Sequence, residues 1–240
     1  MAEGSRGKFI MIDGIAGSGK STILRAAKEW AKARGLRVFD LTEWSKDHKQ
    51  PPAFAEVADY DIYFTFEPTR TWVGDAIRFE LSRDDKPYTG EELAHAFALD
   101  RSIMYKRLIT PALENGKHVI QDRGVSTSIV YQPVQPKSIS LRRLLKLPGN
   151  AAATEYAPDY MILIDIDVKT AITRIQQRSD DSKGVFQDPV FLKKLAKRFR
   201  SRWFSRLFTK HGASVHAFDT RVPLEVVVEK FKLLLEQLLK

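Results

Sequence analysis

The chain has 240 residues, no cysteine and a formal net charge of +9. Without cysteine there is no disulfide, no thiolate metal site and no thiol nucleophile. No apolar run nears the length of a membrane span, and the polar start, Met1–Lys8, lacks the apolar stretch of a secretory signal. A cytoplasmic protein is therefore expected. No linker rich in Gly, Ser or Pro divides the chain, so one domain over residues 1–240 is expected.

The first predicted strand, Lys8–Asp13, runs into Gly14-Ile15-Ala16-Gly17-Ser18-Gly19-Lys20-Ser21-Thr22. This is the phosphate-binding pattern G-x-x-x-x-G-K-[ST], with a strand before it and a helical pattern, Lys20–Arg34, after it. Backbone N–H groups of such a loop approach phosphate oxygens, and the helix aims its positive end at them. Lys20 is placed to reach the β- and γ-phosphates of ATP, and the Ser21 hydroxyl to ligate Mg²⁺. Hydrolases, switches and kinases all share this loop, so residues 14–22 alone leave the fate of the phosphoryl group open.

Further strands are predicted at Leu36–Thr42, Tyr60–Phe66, His118–Gln121, Tyr160–Ile166 and Ser214–Phe218. Helices are predicted at Val73–Ser82, Gly90–Glu114, Ser126–Tyr131, Ile139–Leu147, Lys169–Arg178, Asp188–Thr209 and Pro223–Leu239. The alternation implies an α/β protein, a parallel sheet covered by helices on both faces. Residues 43–59, with Pro51 and Pro52, read as an insertion between two strands. Ligands of such sheets sit beyond the carboxyl ends of the strands. That rule gathers the Gly-Lys-Ser loop, Glu67 with Pro68 and Arg70, and Asp122 with Arg123 at one cleft.

In this order the chain resembles the thymidylate kinases. The resemblance rests on Phe9–Thr22, on Phe64–Pro68 with Gly74–Arg78, and on Phe97–Arg101 with Ile109–Leu113. It continues through Val119–Arg123 with Ser126–Ser128 and Tyr131-Gln132, and through Ala157–Asp159 with Leu163–Asp165. It implies a three-layer α/β/α nucleoside monophosphate kinase fold with a lid, ATP as donor, Mg²⁺, a monophosphate acceptor and a homodimer. The acceptor phosphate carries about two negative charges near neutral pH, and guanidinium groups bind its oxygens in pairs. On this reading Arg123 leads the clamp and Arg78 assists it. Phe97 stacks on the base, and Arg101, one turn along the same helix, bonds its exocyclic oxygen. Tyr131 crowds the sugar 2′ carbon, Asp122 orients Mg²⁺ or its waters, and Glu67, Arg70 and Ser128 complete the acceptor site. Residues 178–188 are expected to be the lid, with Arg178, and with Arg174 or Lys183, reaching the transferred phosphoryl group.

Four positions depart from the family pattern. Ala16 stands where many members have an acid. Phe66 replaces the Arg of Arg-Glu-Pro, with Arg70 nearby. Gly124 replaces the Tyr of Asp-Arg-Tyr, an exchange expected to enlarge the acceptor pocket. Pro133-Val-Gln-Pro136-Lys137 replaces a segment rich in Gly and Arg. The expected reaction is transfer of the ATP γ-phosphoryl group to dTMP. Another monophosphate, a deoxynucleoside with Glu67 as base, or simple NTP hydrolysis stand as alternatives.

From Pro189 to Phe218 there is no acid, and Lys193, Lys194, Lys197, Arg198, Arg200, Arg202, Arg206 and Lys210 contribute +8. Phe191, Leu195, Phe199, Trp203 and Leu207 recur at spacing four as a buried stripe. The charges therefore read as the outer face of an amphipathic helix. The aromatic residues fall on the stripe, away from those charges, so neither a nucleic-acid partner nor a membrane is expected.

Overall fold

The computed structural model describes residues 6–83, 85–177 and 188–239. Six strands form one parallel sheet: β1 Phe9–Asp13, β2 Val38–Asp40, β3 Ile62–Phe66, β4 His118–Asp122, β5 Tyr160–Asp165 and β6 Ser214–Asp219. Their spatial order is β2-β3-β4-β1-β5-β6. β1 pairs with β4 on one side, Ile12 opposite Asp122, and with β5 on the other, Asp13 opposite Leu163. Every residue of β1 is buried, as a central parallel strand covered on both faces must be.

Alternate residues of β1 feed two cores. Ile10 and Ile12 pack with α1, Lys20–Ala33, and α12, Leu224–Leu238. Each helix contributes an apolar stripe at helical spacing, Ile23, Ala27, Trp30 and Ala31 from α1 and Val227, Phe231, Leu235 and Leu238 from α12. Phe9 and Met11 enter the larger core on the opposite face. Its helices include α4 Gly90–Met104, α6 Val125–Tyr131, α7 Leu141–Lys146, α8 Pro148–Glu155, α9 Val168–Gln176, α10 Pro189–Phe199 and α11 Arg202–Thr209. This is the α/β three-layer arrangement expected from the alternation.

Several boundaries differ from the sequence expectation. β2 ends at Asp40, because the Asp40 carboxylate accepts from Thr42 N–H and opens a helix, α2, Leu41–Asp47. The 43–59 insertion is therefore part helix, with a single 3₁₀ turn at Phe54–Glu56. It packs down through Trp44 against Phe39 and Phe54 against Tyr63. The helix at Val73–Ser82 is α3, Trp72–Ala76, widening into a π turn at Ile77–Leu81. The long helix Gly90–Glu114 is continuous, but a π turn at Tyr105–Ile109 separates α4 from α5, Thr110–Glu114. α8 was not expected, since Pro148-Gly149 reads as a breaker. Here Pro148 occupies the first helical turn, where its missing N–H costs nothing.

The basic stretch is two helices, not one. The chain turns at Arg200-Ser201, where Ser201 Oγ donates to Arg198 O. After that turn the buried stripe moves by one residue, so Phe204 and Phe208 are buried while Trp203 is 37% exposed. The expected lid, with Arg178 and Lys183, falls on residues 178–187, outside the described residues. Its last residue, Asp188, caps α10 by accepting from Val190 and Phe191 N–H.

α8 crosses α4 with backbones in contact. A Cβ built on Gly149 would lie 1.9 Å from the carbonyl oxygen of Ala98. Gly149→Ala is therefore expected to destabilise the protein by about 1–3 kcal/mol, as overpacking against rigid neighbours does. A urea denaturation midpoint unchanged by the substitution would show that the two helices can separate at no cost.

Candidate active site

Asp13 joins the two halves of the cleft. It ends β1 fully buried. Its Oδ1 accepts from Gly14 N–H at 2.7 Å, and its Oδ2 accepts from the hydroxyls of Ser126 and Thr127, each at 2.6 Å. The phosphate loop and the first turn of α6 are thus tied to one carboxylate. Gly17 sits at φ 74°, and a Cβ there would lie 2.3 Å from the carbonyl oxygen of Ala171, so only glycine fits. Lys20 folds into the loop, its Nζ donating to Gly14 O and Ile15 O, both at 2.9 Å. Ser21 is exposed at the first turn of α1. Residues 14–22 therefore present backbone N–H groups, an ammonium and a hydroxyl at the head of a helix.

A cavity of about 990 Å³ opens beside this loop. Its wall includes Ala16 from the loop, Glu67 and Arg70 after β3, and Arg78 from the π turn. Phe97 of α4, Arg123 after β4, and Ser128 and Tyr131 of α6 complete it. Seven expected acceptor residues thus converge on one space. A smaller recess of about 330 Å³ continues from it between Thr42, Phe66 and Asp122.

The eighth expected acceptor residue, Arg101, does not line this cavity. It is fully buried and pairs with Glu67 Oε2 at 2.6 Å. It also donates to Ser128 Oγ at 3.0 Å and to Asn150 Oδ1 of α8. Direct contact with a base at the cavity surface is not the role this geometry gives it. Arg101 instead holds β3, α4, α6 and α8 together behind the wall. Glu67 is correspondingly committed. Its second oxygen accepts from Gln121 Nε2 at 2.9 Å, and burial pushes its carboxyl up from the ordinary range against the pull of Arg101. With both oxygens engaged it is poorly placed to take a proton from a nucleoside hydroxyl.

The arginines facing the cavity differ in how their charge is matched. Arg78 donates to backbone carbonyls of Pro68 and Thr69, and its guanidinium lies 5.5 Å from the Phe66 ring. Burial first, and then Arg70, hold it below the ordinary guanidinium range. Phe66, which replaces an arginine of the family pattern, thus supports an arginine. Arg123 adopts φ 65°, a left-handed conformation that costs a bulky residue about 1–3 kcal/mol. It is held there by its N–H to Ile12 O at 2.9 Å, by Asp13 at 3.6 Å and by the Tyr131 ring, 5.9 Å from the guanidinium. Burial opposes its charge, but Tyr131, Asp13 and Asp122 more than offset this and raise it above the ordinary range.

Asp122 ends β4 next to Phe66 of β3 and Ile12 of β1. Its Oδ1 is buried without a hydrogen-bond partner among the described residues, and burial raises its carboxyl from the ordinary range. Among the described residues no group of three His, Asp or Glu side chains could hold a metal. A hydroxyl at Ser21 and one carboxylate at Asp122 nevertheless suit Mg²⁺, which keeps waters and takes its remaining ligands from phosphates.

Three placements differ from expectation or were missed. Gly124 meets the cavity through its backbone; a Cβ there would start 2.7 Å from Met11 Cε and 3.0 Å from Gln121 Nε2. The missing side chain therefore lies under the cavity floor and does not enlarge it. Arg174 lies beside the phosphate loop, a terminal nitrogen 3.5 Å from where a Cβ on Gly19 would stand, and donates to Thr220 O at 2.8 Å. Gln132 was passed over as a site residue although it follows Tyr131 directly. It lines the cavity, is 3% exposed, and neither its Oε1 nor its Nε2 has a hydrogen-bond partner among the described residues.

Glu67→Gln leaves the Arg101 charge buried and unpaired. Such a substitution is expected to lower unfolding free energy by about 3–5 kcal/mol. Equal stability of the variant and the parent in urea would mean that the pair is not the brace described.

The thymidylate kinase family model matches residues 53–230 of this chain. A protein of Pyrococcus abyssi described as a probable thymidylate kinase is 33% identical over 183 residues, 74% of each chain. A probable thymidylate kinase of Thermococcus onnurineus is 34% identical over 178 residues, 71% of this chain and 72% of its own. A thymidylate kinase of Caldicellulosiruptor saccharolyticus is 28% identical over 237 residues, 98% of each.

Proposed function

This chain belongs to the thymidylate kinase family, and we propose on that footing that its cavity binds dTMP and that its glycine loop binds ATP. The protein is a nucleoside monophosphate kinase producing dTDP and ADP. The observation that carries the acceptor assignment is the group of Arg70, Arg78 and Arg123 on one wall of a cavity that begins at the phosphate loop. Arg78 spends its donors on neutral carbonyls, and Arg70 lies close enough to depress it. A dianionic phosphate relieves that repulsion.

The acceptor phosphate is already ionised, so no general base is required. One of its oxygens attacks the γ-phosphorus while the bond to the β–γ bridging oxygen breaks, leaving ADP. The chain's task is alignment and charge neutralisation. Lys20 and the loop N–H groups hold the donor phosphates. Arg123 and Arg78 hold the acceptor phosphate, and the strained backbone of Arg123 keeps its guanidinium aimed at the gap between the two. Ser21 and Asp122 would hold Mg²⁺, which would supply further charge neutralisation. Phe97 offers an apolar face to the base. The Gln132 amide supplies an acceptor and a donor side by side, which match the N3–H and an adjacent carbonyl of thymine. Arg178 contributes from the lid, and the active species is a homodimer.

Coupled ADP release measured across the common ribo- and deoxynucleoside monophosphates, with thymidine as a control, tests this reading. dTMP is expected to give the highest kcat/KM, and thymidine no turnover. Faster turnover of another monophosphate would keep the chemistry and reject the acceptor. ATP hydrolysis indifferent to every monophosphate would reject the kinase. Arg123→Ala is expected to lower kcat/KM for dTMP by about 100-fold or more, because it removes charge stabilisation at the reacting phosphates.

A further inference from the structure

One residue of the basic stretch has a different environment from the rest. Seven of its eight cations are exposed, while Arg198 is half-buried. Its guanidinium reaches across from α10 to α6, donating through Nε to Val130 O at 2.9 Å and through a terminal nitrogen to Ile129 O at 2.8 Å. The Trp203 ring lies 4.9 Å from the same guanidinium.

Those two carbonyls need donors for a reason written in the sequence. In a continuing helix Ile129 O would accept from residue 133 and Val130 O from residue 134. Residue 133 is proline and has no N–H. The N–H of Val134 turns back to Tyr131 O at 2.9 Å instead. Ser128 O and Tyr131 O find backbone partners, in Gln132 N–H for the first and Val134 and Gln135 N–H for the second. Ile129 and Val130 are left with the two orphan carbonyls of the helix end. A cation that satisfies both also meets the negative end of the helix dipole.

The same turn carries the cavity wall. Ser128, Tyr131 and Gln132 all line the acceptor space. Tyr131 is packed edge-on against two rings of α10, Phe191 at 6.2 Å and Phe199 at 6.3 Å. α10 therefore backs Tyr131 by ring contact and grips the end of its helix through Arg198.

We propose that Arg198 is a positioning residue for the acceptor: it supplies the hydrogen bonds that Ile129 O and Val130 O lack at the Pro133 turn and so holds Tyr131 and Gln132 at the base and sugar. The departure at 133 and the inward-turned cation at 198 form a matched pair. The inference rests on the cavity being the acceptor site.

Steady-state kinetics of Arg198→Ala, with the monophosphate that turns over fastest as acceptor, test it. The acceptor KM is expected to rise about tenfold while the ATP KM stays within about twofold. Arg198→Lys, with one compact donor head, should fall between the parent and Arg198→Ala, and it serves as the probe if the alanine variant does not fold. Pro133→Ala added to Arg198→Ala restores an N–H for Ile129 O and should recover part of the lost acceptor affinity. An unchanged acceptor KM in a less stable Arg198→Ala would overturn the proposal, leaving only a structural tie. So would an equal rise in both KM values, or no recovery on adding Pro133→Ala. These outcomes are read against the turnover of the unmutated protein, so they separate this inference from the assignment of dTMP.

Discussion

The buried guanidinium of Arg101 is the constraint on which the cavity wall depends. Removing an arginine and a glutamate from water is unfavourable unless their bonding groups find partners. Here Glu67 comes from the end of β3, Arg101 from α4, Ser128 from α6 and Asn150 from α8. No two of these elements are neighbours along the chain. Satisfying one charge therefore fixes the relative placement of four elements, and with them the cavity wall. Gly149 fits this picture, since its lack of a side chain lets α8 approach α4 closely enough for Asn150 to reach Arg101.

Asp13 performs a parallel task on the donor side. It takes the Gly14 N–H and two hydroxyls of α6, so the glycine loop and the helix that walls the cavity are tied to one carboxylate. Between these anchors the protein concentrates positive charge. Arg70, Arg78 and Arg123 face a common space, where burial and Arg70 work against the charge of Arg78 while Tyr131, Asp13 and Asp122 hold that of Arg123. The left-handed backbone of Arg123 costs further stability at this wall.

The positions that depart from the family pattern are not simple losses. Phe66 stands under the Arg78 guanidinium that faces the cavity. Gly124 makes room for Met11 in the core beneath the site. Pro133 removes a donor from the end of α6, and Arg198 returns two. In each case the compensating group lies far away in sequence, on a different element.

How much was legible in the chain follows from the range of the interactions involved. Helical and strand periodicities, the glycine loop and the strand-end rule are local, or depend only on the order of elements. They sufficed for the parallel α/β sheet, for residues 14–22, and for the gathering of Glu67, Arg70 and Arg123 at one cleft, while Arg78, Phe97 and Tyr131 were implied by the family resemblance. The break at Ser201 and the capping of α2 by Asp40 escaped because a single hydrogen bond decided each against an otherwise continuous pattern. The burial of Arg101, the direction of the vacant side chain at Gly124 and the inward turn of Arg198 depended on partners 27 or more residues distant in two cases, and on the side chains of Met11 and Gln121 beneath it in the third. Sequence by itself determined what chemistry the chain carries, because that chemistry resides in residue types at fixed local spacing. Only the tertiary structure decided which arginine faces the cavity and which braces its wall, because burial and pairing are properties of the packed chain.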